Sequence, residues 1–153
     1  MRYYETEEIR RGDLIVYLKE DGLNYVCRVV GVPGDHLKIN NDIVQIDGVL
    51  SDTTFICDTL SDLMPGIKKY RESIPGGASH FILLSSTFFE MMVKNTEEVL
   101  IPDGYYYLLG DNRDNSLDSR YSGMTYRDNI VGKCLYTYWS PHGSANVRYL
   151  NVP

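Results

Sequence analysis

The sequence predicts a mainly β fold, and three observations carry that prediction. Thirteen tyrosines stand among many Val and Ile residues with Gly, Asn and Asp between them, a composition that suits pleated, half-buried strands joined by turns. Residues 37–48 alternate apolar and polar side chains around Asn40-Asn41-Asp42. Asn and Asp tolerate the positive φ of a tight turn, so this stretch reads as a hairpin. The longest apolar runs, 14–18 and 81–84, have the length of buried strands and fall far short of the roughly 18 residues that span a bilayer.

In chain order, residues 13–19 read as a strand, Glu20-Asp21-Gly22 as a turn, and residues 24–32 as a second strand closed by Pro33-Gly34-Asp35. The 37–48 hairpin follows. The middle, about 51–98, changes character: 74–79 reads as a loop, 80–85 as a strand and 87–94 as a helix candidate. A second β-rich block resumes at Val99, with a turn at Pro102-Asp103-Gly104, a strand over 105–109 and a last strand over 129–139. The expected organisation is therefore one domain. Its core is built from about 11–50 and 99–141, with 51–98 inserted as a cap.

The chain has 153 residues, 43% of them hydrophobic, enough for one buried core. Net charge is −6, and no run of Lys or Arg exceeds two. A nucleic-acid partner is excluded on that ground, because phosphate backbones demand a basic face. Cys27, Cys57 and Cys134 form no CxxC or Cys/His spacing, so no structural zinc is expected. One disulfide with a free thiol and three buried thiols both remain open. The charged start MRYYETEEIRRGD lacks the apolar centre of a secretory signal, so the chain as written reads as soluble, with no export address.

Residues 110–123, GDNRDNSLDSRYSG, crowd Asp111, Asp114 and Asp118 together with Arg113 and Arg120. Asp and Asn side chains bond nearby backbone rather than support regular structure, and Arg offers a planar fork for carboxylates. The segment can thus be rigid without being helix or strand. Two readings stay open: a salt-bridged structural loop, or a scaffold that fixes a small side chain such as Ser116 against an active site. A cation site is disfavoured, because the arginines compete for the carboxylates and the spacing misses the calcium-loop pattern.

GDNRDNSLDSR at 110–120 closely resembles the signature of type I signal peptidases, the membrane-anchored serine endopeptidases that remove signal peptides from exported proteins. RGDLIVY at 11–17 and YVCRVVGVPGD at 25–35 resemble two further family segments, in the family order. The resemblance runs from about Arg11 to Pro141 and is loose over the middle block. It implies a signal-peptidase-type β fold with a family core and a variable cap, no metal or cofactor, and signal peptides or other extended segments of exported proteins as partners. By the same resemblance the location would be the outer face of the cytoplasmic membrane or the periplasm. Family chemistry is a Ser–Lys dyad, in which a neutral, buried lysine takes the proton of the attacking serine. The matching positions make Ser116 the residue that orients the base, Asp118 and Arg120 its buttress, and Gly110, Asp111, Asn112, Arg113 and Asp114 the structural signature. Tyr25 and Val26 match the strand that lines the substrate cleft.

Two departures decide the functional expectation. At the family's lysine position this chain has Cys27. A protonated thiol carries no positive charge, and in an apolar pocket it stays neutral. The family's nucleophile segment and membrane helix precede the RGD strand, whereas the residues here are MRYYETEEIR, with no serine. The chain as given is thus expected to be inactive alone, whether its start is truncated or lost and whether Cys27 is natural or engineered. A non-catalytic, peptide-binding accessory role in secretion, pilus or conjugation machinery is the alternative, and a poorly folding gene fragment is a third reading. No replacement base is evident: His36, His80 and His142 read as solvent-facing or hairpin residues, Ser116 as a scaffold hydroxyl, and Lys19 and Lys38 as strand-end charges.

Overall fold

The computed structural model describes residues 8–58, 66–85, 93–134 and the backbone of 149–150. Its elements are overwhelmingly strands, as the sequence predicts. Strands β1 (Leu14–Leu18) and β2 (Asn24–Gly31) form an antiparallel hairpin in which Ile15 faces Cys27 and Tyr17 faces Tyr25. The hairpin lies inside a six-stranded sheet with β10 (Tyr105–Leu109), β11 (Thr125–Tyr126), β12 (Ile130–Cys134) and β13 (Tyr149–Leu150), in the order β11-β10-β2-β1-β12-β13. A four-stranded sheet orders β5 (Val49–Leu50), β4 (Ile43–Ile46), β3 (His36–Asn40) and β9 (Val99–Leu100). The β3–β4 turn carries positive φ at Asn41 (48°) and Asp42 (65°), the geometry a two-residue hairpin requires.

Apolar alternation places the core. Ile15, Val29 and Leu108 are fully buried with Tyr17, Cys27 and Ile130 in one cluster of the six-stranded sheet. Val30, Leu37, Ile39, Val44 and Ile101 join Tyr107 and Leu109 in a second cluster that bridges the two sheets. Each such aliphatic side chain contributes about 1.5–3 kcal/mol by leaving water. Gly31 lies where the sheets meet, and a Cβ there would come within 2.3 Å of Ile101 Cδ1 and 2.8 Å of Leu37 Cδ1.

The middle block holds more strand than its sequence pattern suggests. Besides the expected β8 (His80–Ser85), residues Asp52–Asp58 (β6) and Ile67–Ser73 (β7) pair into a three-stranded sheet. The reason they escape a periodicity reading is that β6 buries almost nothing and β7 carries Lys68, Lys69, Arg71 and Glu72. Cross-strand contacts hold them together instead, including Phe55 edge-on to Tyr70 at 5.6 Å and Lys69 over the Phe81 ring at 4.0 Å. Most of the 87–94 helix candidate, the end of the last strand beyond Cys134, and His142 lie outside the described residues. Among the described residues, no helix is long and apolar enough to cross a membrane.

Candidate active site

The ladder between β10 and β2 ends where Leu109 pairs with Arg28. There Gly110 begins the acidic and basic loop, which turns back over the face of β2 that carries Cys27. Regular structure within the loop is brief: a 3-10 turn at Arg113–Asn115 and one helical turn, α1 (Ser119–Ser122). The rest is held by side chain to backbone bonds, as its composition foretells. Asp118 caps α1 by accepting from the Arg120 backbone N–H at 3.2 Å, and its other oxygen accepts from Gly110 N–H at 3.0 Å. Ser119 Oγ takes the Leu108 N–H at 2.9 Å.

Arginine forks then fix the loop to the rest of the molecule. Arg28 holds Asp111 through two bonds of 2.8 and 2.7 Å and also donates to the Gly12 carbonyl. Arg120 donates to Asp118 at 2.8 Å from both Nε and Nη2, to the Val93 carbonyl and to the Arg113 carbonyl. Burial works against its charge, but the bonds and charge of Asp118 prevail and hold the guanidinium above its ordinary value. Arg113 is buried with Glu72 of β7, and His80 Nε2 stands 3.0 Å from the same carboxylate, poorly aligned for a hydrogen bond. Burial alone would raise the Glu72 carboxyl, yet His80 and Arg113 outweigh it and lower it. Asp114 accepts from Ser85 N–H at 2.5 Å, and Leu83 N–H reaches the Asp111 carbonyl beside a parallel bridge to Asn112. The 52–85 sheet is thereby bonded to the loop at Asp111, Arg113 and Asp114.

Cys27 sits on the face of β2 that the loop covers and is 4% exposed. The Tyr17 and Ser116 hydroxyls lie beside its sulfur, close enough to favour its ionised form. Burial first, and the negative charge of Asp118 second, push the thiol from an ordinary 9.0 up to about 11; the nearby Tyr17 and Ser116 hydroxyls and the Lys19 charge oppose this but do not reverse it. At neutral pH the sulfur is a protonated, uncharged thiol. Tyr17 is likewise raised, chiefly by burial. Gly110 makes room for Ser116: a Cβ at 110 would stand 2.1 Å from Ser116 Oγ and 2.4 Å from its Cβ, so no larger residue fits without moving the serine.

The structure thus brings Ser116, Asp118 and Arg120 together around Gly110, with Cys27 next to them. Tyr25 shares the Cys27 face, half-buried, its ring 6.1 Å from that of Tyr17 and its hydroxyl bonded to Asp21 at 2.8 Å. Val26 is one residue on, hence on the opposite face of the strand, and is half exposed. Two residues were misjudged from sequence. His80 is not solvent-facing; its side chain is 5% exposed, packed on Glu72. Lys19 is more than a strand-end charge, since its ammonium donates to the Leu117 carbonyl and lies over the Tyr25 ring at 4.3 Å. Tyr17, on the strand facing β2, was not singled out at all; its alternation with Ile15 was the available signal. All three cysteines are free.

Residues 1–139 match the family of signal peptidases described as peptidase S26. The signal peptidases I of Rickettsia akari and Rickettsia felis are each 31% identical over 144 residues, covering 88% of this chain and 53% of the relative. That of Rickettsia typhi is 30% identical, with 88% and 54% covered. A crystal structure of a signal peptidase I from Enterococcus faecalis covers 84% of this chain and 98% of its own, at 21% identity and a TM-score of 0.49. The chain belongs to the signal peptidase family, peptidase S26. It spans about half the length of the curated relatives it matches.

Proposed function

We propose that this chain is a signal-peptidase-type domain that receives extended peptide segments of exported proteins but lacks a working general base. The observation that carries the reading is Cys27: buried, beside the Ser116 hydroxyl, and neutral at pH 7. A base must accept the nucleophile's proton near the operating pH, and a protonated thiol has no free pair of comparable basicity. Its side chain is also two bonds from Cα, far shorter than lysine's reach. Ser116 is then the residue that would orient a base, with Asp118 and Arg120 as its buttress, and here they enclose a thiol instead.

Peptide reception is supported by the shape of β2. Its ladder to β10 stops at Arg28, so Asn24–Val26 keep one flank without a β10 partner, where an extended segment can add as a strand. Tyr25 forms the wall beside Cys27, and Val26 offers the opposite face of the same strand. On this reading, residues 11–50 and 99–141 are the peptide-binding core and 51–98 the cap that steadies the 110–120 loop. The partners are signal peptides or similar segments, met at the outer membrane face or in the periplasm in a secretion, pilus or conjugation system.

The test is binding and cleavage of one fluorescein-labelled, alanine-rich peptide by the unmodified chain, by Cys27→Lys, and by both sequences within the longest product of the gene. The unmodified chain is expected to bind without cutting. Cys27→Lys restores cutting only where the polypeptide also supplies a serine nucleophile, with a gain of about 10²–10⁴-fold. Cleavage by the unmodified chain at neutral pH overturns the proposal.

A further inference from the structure

A lysine does reach this site, but from the neighbouring strand. Lys19 follows the last residue of β1, crosses the Tyr25 ring at 4.3 Å and the Tyr17 ring at 5.9 Å, and donates to the carbonyl of Leu117, the residue after Ser116. An ammonium has three N–H donors. Among the described residues the Leu117 carbonyl is its single hydrogen-bond acceptor, and the two ring contacts are electrostatic and consume no donor. Lys19 also lines a cleft of about 510 Å³ together with Tyr17, Leu18, Met124, Thr125 and Asn129. This cleft adjoins Cys27 through Tyr17, whose hydroxyl lies beside the sulfur and whose side chain also lines the cleft.

The charge around Lys19 selects the group it can hold. Glu20 and Asp21 stand on the same rim, and Asp21 is kept ionised by the Leu23 backbone N–H, by the Tyr25 hydroxyl and by Lys19 itself. With two carboxylates already beside one ammonium, a further anion is repelled, whereas a neutral carbonyl oxygen gains a charge-assisted hydrogen bond without added repulsion. The apolar floor of Tyr17, Leu18 and Met124 suits an uncharged side chain.

We infer that Lys19 is the peptide anchor of this site. It donates to a backbone carbonyl of the extended peptide beside Cys27 and Ser116, and the adjoining cleft takes the next uncharged side chain. The inference rests on the peptide-binding reading above. It assigns Lys19 a positioning role, with no part in proton transfer.

The experiment is a double-mutant cycle on affinity, using a fluorescein-labelled, alanine-rich dodecapeptide and thioamide versions of it, each with one backbone oxygen replaced by the weaker acceptor sulfur. Lys19→Met keeps the apolar stem and removes the donors. It is expected to weaken binding of the parent peptide by at least about tenfold, with an unchanged melting temperature. One thioamide position is expected to weaken binding to the unmodified protein and to have little further effect in Lys19→Met. Equal losses at every position in both proteins, or undiminished binding by Lys19→Met, overturn the anchor and leave the peptide-binding reading standing. No binding of any peptide by the unmodified protein overturns both. A peptide with a free C-terminal carboxylate that binds no more tightly than its amide agrees with the carbonyl assignment; a strong preference for the acid contradicts it.

Discussion

Replacing Glu72 by Gln probes what fastens the signature loop to the 52–85 sheet. Glu72 is fully buried and Arg113 is 1% exposed; the guanidinium spans both carboxylate oxygens and also donates to the Asp42 carbonyl at 3.2 Å. Gln preserves shape and one acceptor but leaves a buried cation without its counter-charge, a loss of about 3–5 kcal/mol. Against a typical domain stability of about 5–15 kcal/mol that is severe, and it corresponds to a fall in melting temperature of roughly 6–20 °C. Urea unfolding should show a lower midpoint with unchanged slope. The double replacement Glu72→Leu with Arg113→Met removes both charges and should recover most of the loss. The effect has a pH signature. Because the Glu72 carboxyl is held below its ordinary 4.5, its contribution is complete above that value and disappears as pH falls through the lower, folded value. A Glu72→Gln loss under about 1 kcal/mol, or a double variant as unstable as the single, refutes the reasoning.

Cys27 gives an alkaline counterpart. Its folded pKa of about 11 lies above the ordinary 9.0, so its contribution is complete below 9 and stability declines by about 2–3 kcal/mol between 9 and 11; Cys27→Val should lack that component of the slope in parallel urea titrations. Gly110→Ala should displace Ser116, since the added methyl would stand 2.1 Å from its hydroxyl. An overpacking cost of about 1–3 kcal/mol and a changed alkylation rate at Cys27 are expected, measured by unfolding and by mass spectrometry.

Much of the β architecture was legible because alternation and turn chemistry are local. The Asn40-Asn41-Asp42 hairpin announces itself through residues that tolerate positive φ, and β1 and β2 through short apolar runs. The strands β6 and β7 were not legible, because their stability comes from pairing and from Glu72 reaching Arg113, 41 residues away. The same limit hid the ion pair of Arg11 with Asp35, two bonds of 2.6 Å joining the RGD and Pro-Gly-Asp segments. In the site, the 110–120 composition correctly pointed to a loop rigid through its own side chains. Lys19 was opaque, because nothing in the order of residues says that a side chain leaving β1 ends on the Leu117 carbonyl.

The central claim is that a peptide is held at this site and left uncut. The most direct test follows one sample at neutral pH in two ways: fluorescence anisotropy for binding of the alanine-rich peptide, and mass spectrometry of that peptide after prolonged incubation. A saturable anisotropy rise with the peptide recovered intact is the predicted result. Cleavage products that accumulate with the unmodified chain would show that the thiol at position 27 does not disable the site.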